Sequence, residues 1–485
     1  MKLNQLCLGF LGVLITSFVA CAQDDRPAYD QSLIQEVCAL VPHPESLTDV
    51  QVDSLDALIR RWGHHKYHQA TLRDQYVKQA PSNVSFLELP YKELDDNTFD
   101  FGYRLLGVAR FWNLITYYSP NKALTDTPWD KVLPLFIKKA ADTTLTTYEL
   151  FAELSQTLND THAMGSHYSE LAGGRIVPIV ATFAQERLIV TDTCTLGGNP
   201  LQPGDEITSL DGVAPKDKIE TVARFNSFSN QAALYCHASY MVLYTPNESV
   251  TVGFIPKGSK RSKKATIATV ERSAFGPYIG EKLYPEKGPS YRFISDSVAY
   301  VFTGSLTSKN CDTVYTRIEN TKRLIIDLRT YPPDFGIMAN FFGFYLVKDP
   351  APFVSFAKPI ATQPQQFTHF TQNNATEANP DAYKGQIIVL VNAQTLSMAE
   401  FFTMCLQSIP GTLTVGSTTA GADGNVSRVM LPYNFGFAIT GLGVCYPDGT
   451  NAQRAGVKID VFVEPTVQGL IDGRDEVLEA AIALP

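Results

Sequence analysis

Residues 386–406, QIIVLVNAQTLSMAEFFTMCL, leave the chain little conformational choice. The run 387–391 is wholly aliphatic, as in a strand buried on both faces. A short polar turn follows, and Ser397 stands where a helix beginning Met398-Ala399-Glu400 would start. A strand–turn–helix of this kind holds one hydroxyl on a sharp exposed corner. It also turns free helix N-terminal N–H groups toward any oxyanion formed there. The logic is that of a nucleophile elbow, although the Gly-x-Ser-x-Gly spelling is absent. Read alone, the window favours a plain capping role for Ser397, since serine is a preferred N-cap residue. The remainder of the chain reverses that preference.

At 485 residues the chain exceeds one ordinary core, and its 45% apolar and 18% charged content suits several packed domains. A net charge of −9 argues against a nucleic-acid partner. The one basic run, 257–264, lies between two alternating segments and reads as a solvated hairpin loop. Residues 1–22 form an export leader (signal peptide): Lys2 supplies the positive charge, and the apolar stretch 6–19 is too short to span a bilayer. Its end reads in two ways. Phe18-Val19-Ala20-Cys21 resembles a lipoprotein box that would lipidate Cys21 and tether the chain to a membrane. Ala20-Cys21-Ala22 also fits ordinary cleavage before Gln23. The expected location is the periplasm, the outer membrane or the cell surface. The cysteines beyond residue 22 are irregularly spaced with no C-x-x-C, so no metal is expected and their pairing stays open.

The texture changes twice along the mature chain. Residues 23–169 read as a helical domain, with Leu105, Val108, Phe111 (or Trp112) and Ile115 forming a core-facing stripe in 101–118 that Pro120 ends. Residues 170–275 are short alternating runs punctuated by Gly and Pro, a β-rich domain marked by the turns in LQPGDEITSLDG, 201–212. Residues 276–485 read as α/β, with strands at 298–302, 324–328, 387–391 and 412–415, a hairpin-like region at 435–449 and a final helix at 475–483.

Four stretches, taken in order, carry a resemblance: LNDTHAM (158–164), LQPGDEITSLDG (201–212), LIIDLRTYP (324–332), and SMAE through GSTTAGADGN (397–425) on to AGVKIDVFVEPT (455–466). The chain resembles the C-terminal processing (tail-specific) serine peptidases, and their tricorn-like branch above all. The resemblance implies an α/β core of crotonase-related, ClpP-like type and a PDZ-like domain over 170–275. It implies a peptide or protein substrate and no cofactor. Ser397 falls on the nucleophile position. The lysine of the family's Ser–Lys dyad is absent from the stretch 418–424, TTAGADG. His162 matches the tricorn-like base instead, with Thr161 as a second hydroxyl of the site. The acidic fourth member falls at Gln453, which can orient a partner but cannot offset an imidazolium charge. The implied oxyanion donors are the N–H of Met398 and, since Pro333 has none to give, that of Asp334, Tyr331 or a neighbour. Gly421, Ala422 and Asp423 fall in the loop implied to meet substrate.

Smaller expectations accompany these. Asp160 would cap or orient the turn of His162, Asp327 and Arg329 would form a structural ion pair, and His64 and His68 a surface pair. One overall expectation is an exported serine endopeptidase working through an acyl-enzyme on Ser397, with His162 as general base. The alternative is a catalytically weak or inactive member that binds peptides as an envelope lipoprotein, which Gln453 and Pro333 favour. A polysaccharide-processing enzyme is a third, without a suitable carboxylate pair to support it.

Overall fold

The computed structural model describes residues 26–94, 99–163, 168–192, 196–283 and 289–485. The leader with Cys21, and Cys194, lie outside these residues. Helix and sheet are mixed throughout, in keeping with the α/β expectation.

Helix Phe101–Tyr118 organises the first part of the chain. Asp100 starts it, its side chain accepting the Tyr103 N–H at 3.0 Å, and Pro120 follows its end. The expected stripe is buried, but so are nearly all the helix's other residues, Arg104, Arg110 and Asn113 included. It is therefore a central helix, surrounded rather than laid on a surface. Arg104 donates to the carbonyls of Leu145 (2.8 Å) and Asp142 (3.1 Å). Arg110 joins Asp30, Lys66 and Glu88 in a cluster of four charges with no side-chain exposure.

The β-rich part forms a five-stranded antiparallel sheet in the order Val180–Ala184, Arg187–Asp192, Glu206–Leu210, Ser249–Ile255, Lys263–Ala268. Asp211 (φ 49°) and Gly212 (φ 87°) make the expected turn after the third strand, both in the left-handed region that an Asp-Gly pair tolerates. Strand Val180–Ala184 is an edge, and helix Gln231–Met241 packs beside it.

A six-stranded sheet forms the second core, in the order Tyr291–Ser295, Val298–Phe302, Arg323–Asp327, Gln386–Val391, Leu413–Gly416, Val461–Phe462. The first pair is antiparallel and the others are parallel. Along Gln386–Val391, side chains alternate between two apolar clusters: Ile387, Val389 and Val391 enter one, Ile388 and Leu390 the other. That is why the strand is apolar without interruption. Arg329 pairs with Asp327 at 2.7 Å and with Asp475 at 2.7 Å, a structural anchor at the strand end.

The region 435–449 departs from expectation. Strand Gly436–Thr440 pairs back onto Val426–Met430, while Gly443–Cys445 joins Pro352–Pro359 in another sheet. The 426–440 hairpin leaves the second core and enters the helical one. Phe437 lies 4.9 Å from Phe111 and Phe435 lies 5.6 Å from Phe151, centroid to centroid. Alternating apolar residues on this hairpin fill the helical core, an outlet that local periodicity does not reveal. Cys38, Cys236, Cys311, Cys405 and Cys445 are free thiols, and Cys405 is buried as an apolar residue.

Candidate active site

The serine corner is built by its own turn. After strand Gln386–Val391, the Thr395 hydroxyl accepts the Asn392 N–H (3.0 Å) and donates to the Leu328 carbonyl (2.9 Å), tying the turn to the neighbouring strand end. Ser397 then adopts φ 54° and ψ −117°. An ordinary N-cap is extended, so this is a strained corner for a residue with a Cβ. Its N–H is shared between the Ala422 carbonyl (3.1 Å) and the Glu400 carboxylate (3.2 Å). Its carbonyl accepts the Phe401 N–H at 2.9 Å and so opens helix Met398–Gln407. The Met398 N–H has no acceptor among the described residues, which leaves it available to an oxyanion.

His162 lies in the short turn Thr161–Ala163, with its side chain 9% exposed. Its Nδ1 is 2.8 Å from the Thr440 hydroxyl, at the end of the inserted hairpin. That hydroxyl is 3.0 Å from Asp160 Oδ1, and the Thr440 N–H reaches Asp160 Oδ2 at 2.8 Å. A threonine hydroxyl has one hydrogen, and the carboxylate can only accept. Thr440 therefore donates to Asp160 and accepts from His162, which puts the imidazole proton on Nδ1 and a lone pair on Nε2. Asp160 Oδ1 also accepts from the His162 N–H (3.1 Å) and from Gln453 Nε2 (3.1 Å). Burial pushes the imidazole below its ordinary range, with Asp160 acting in the opposite sense.

Ser397 and His162 line one cleft of about 1020 Å³. Among the described residues no hydrogen bond joins them. The same cleft is lined by the edge strand, through Ala181 and Phe183, and by Tyr235 and Ser239 of the adjacent helix. Thr161 borders it too, but its hydroxyl meets Ser229 rather than either catalytic candidate, accepting the Ser229 N–H at 3.0 Å.

The other sequence candidates fall into different surroundings. Gln453 is buried and reaches Asp160, not the imidazole. Tyr331 borders the cleft, whereas Asp334 does not: its carboxylate accepts the N–H groups of Ser308 and Gly336, each at 2.8 Å. Gly421 and Ala422 turn their N–H groups onto Glu400, and Asp423 is buried, while the next residues, Gly424 and Asn425, line the cleft. Two residues that sequence reasoning passed over are Thr440 and Glu400. Thr440 looks like any residue of an alternating strand. Glu400, third in its helix, looks like half of a capping box.

Residues 297–463 match the model of peptidase family S41. That segment, about a third of the chain, places its C-terminal part with the S41 peptidases. The S41 segment contains Ser397, Glu400, Thr440 and Gln453, and leaves Asp160 and His162 to the residues before it. No curated protein matched this chain in sequence. Among solved structures, mature CPAF complexed with lactacystin is 15% identical, covering 79% of this chain and 97% of that one with a TM-score of 0.60. A second structure of mature CPAF gives the same TM-score, 0.60. At such identity the likeness is one of fold. The photosystem II D1 C-terminal processing protease is 17% identical, over 77% of this chain and 98% of that one, with a TM-score of 0.42.

Proposed function

We propose that this chain is an exported endopeptidase that cleaves peptide or protein chains through an acyl-enzyme on Ser397. The observation that carries the reading is the ordered chain His162–Thr440–Asp160, whose histidine lines the same cleft as a serine on a strained corner. His162 Nε2 takes the hydroxyl proton as Ser397 Oγ bonds to the scissile carbonyl carbon. The same proton passes to the leaving amine when the C–N bond breaks. Water then enters by the same base and releases the acyl group. Asp160, acting through Thr440, supplies the negative charge that position 453 lacks, and the Met398 N–H faces the developing oxyanion. The β-rich unit serves as a PDZ-like capture domain: an extended segment adds to the outer edge of Val180–Ala184, taking the place of the Ser239 hydroxyl on the Phe183 N–H, and runs on toward Ser397. The leader carries the chain out of the cytoplasm, and a lipid on Cys21 tethers it to the envelope.

A fluorophosphonate probe tests the reading. Wild-type protein should become labelled on Ser397, and Ser397→Ala should not. A folded wild type that stays unlabelled would support the peptide-binding alternative, which the missing Ser397–His162 hydrogen bond favours.

The relay makes a separate prediction. Thr440→Val removes the group that fixes the imidazole tautomer and should lower kcat by about 10²- to 10⁴-fold with KM little changed. Thr440→Ser, which keeps the hydroxyl, should restore most of that loss in steady-state peptide hydrolysis.

A further inference from the structure

A second carboxylate stands behind the serine, outside the relay. Glu400 is fully buried, and four donors converge on it. Its Oε2 accepts the N–H of Ser397 (3.2 Å) and of Ala422 (3.0 Å). Its Oε1 accepts the Gly421 N–H (2.8 Å) and the Thr419 hydroxyl (2.5 Å). One donor thus comes from the nucleophile's corner and three from the segment 419–422. That segment is fastened in turn toward the base. The Thr161 hydroxyl, beside His162, lies 3.4 Å from the Ala420 carbonyl. The Arg454 N–H reaches the Gly421 carbonyl at 2.7 Å, and Asn230 Nδ2 the Thr419 carbonyl at 2.9 Å.

We propose that Glu400 is a positioning residue whose ionised carboxylate holds Ser397 and the 419–422 segment in register with the His162 turn, and that its protonation releases them. This rests on the reading of Ser397 as nucleophile only for its catalytic consequence. An ionised carboxylate is acceptor-only, with room for all four donors. A proton on Oε2 points at two N–H groups that can only donate, and one on Oε1 reverses the Thr419 hydroxyl contact. In either form the negative charge is gone, and the three N–H donors are held more weakly.

Burial pushes the Glu400 carboxyl up to about 7, the four donors countering it. The titratable groups facing it are Asp423, from the loop, and Tyr446, beyond strand Gly443–Cys445. Burial and then Glu400 push the Asp423 carboxyl well up, toward its neutral form. Burial raises the Tyr446 phenol as well, so it stays neutral near pH 7. Glu400 has a folded value above its unfolded one. Its contribution to global stability is therefore fully present below the ordinary glutamate range and lost as pH rises through about 7. Local release on acidification consequently runs against this group's effect on unfolding, and the two can be told apart.

The test is hydrogen exchange of the full chain near pH 8 and near pH 6, corrected for intrinsic rates. In wild type, peptides covering 397–400 and 419–423 should lose about tenfold in protection at the lower pH, following the ionised fraction of Glu400, while strand 386–391 is unchanged. Glu400→Gln should show the low protection at both values. In parallel, the wild-type rate of fluorophosphonate labelling should fall through a limb near pH 7, above the one due to His162. Glu400→Gln should lack that limb and label slowly throughout, and Glu400→Asp should bring part of it back. Wild-type protection at 397–400 and 419–423 that does not change between the two pH values overturns the proposal. If no wild-type labelling occurs at any pH, the peptidase reading fails while the exchange result still decides the role of Glu400.

Discussion

Ser397→Ala is expected to lower peptide hydrolysis by about 10⁶-fold in kcat, with KM nearly unchanged. On the proposed mechanism the hydroxyl forms the covalent bond, while the other residues lining the cleft remain in place. Alanine also accepts the same φ of 54° at a strain close to that of serine, so the corner itself should persist. His162→Ala should cost about as much, because a hydroxyl without a base is a poor nucleophile at neutral pH, and the double variant should be scarcely worse than either single one. Steady-state kinetics on quenched peptide substrates measure all three. Losses that multiply in the double variant would mean that the two side chains do not act in one step.

The largest effect on stability is expected far from the cleft. Arg110 lies 2.5 Å from Asp30 and 3.1 Å from Glu88, and Lys66 lies 2.7 Å from Glu88, all without exposed side-chain surface. Burial opposes the charge of Arg110, and the two carboxylates more than offset it. Burial pushes Lys66 down despite the same partners, so Arg110 is the firmer cation of the two. Arg110→Met leaves carboxylates in an apolar interior with half their compensation and should destabilise the fold by about 3–5 kcal/mol. Adding Asp30→Asn should recover part of that loss, because one orphaned charge is then gone. Urea unfolding followed by tryptophan fluorescence reads both, with Trp62 adjoining the cluster, 4.6 Å from Lys66 Nζ.

Much of the architecture was written in local pattern. The unbroken aliphatic run 386–391 and the Asp100-to-Pro120 span each specify one element, because each depends on neighbours in sequence. The hairpin was not legible in the same way. The region 435–449 reads as hairpin-like, yet Gly443–Cys445 finds its partner some 90 positions earlier. Distance in the chain also hides the relay. Thr440 lies 278 positions from His162, and nothing in an alternating strand marks one threonine as the one that meets an imidazole. Gln453 suggested a missing acid, whereas the carboxylate sits two residues before the base, at Asp160. Glu400 was visible as a residue but not as a role, since a capping glutamate and a buried four-donor acceptor are spelled alike.

The aromatic ribbon at 426–440 has a consequence for how such a protein can change over time. It belongs by sequence to the portion that carries Ser397, yet its rings are seated among the helices that precede His162. Excised alone, residues 297–463 would keep Ser397, lose His162, and offer bare phenyl rings to water. The two halves cannot be traded between relatives like cassettes. A change in one must be answered by a change in the other, and the chain is inherited as a matched pair.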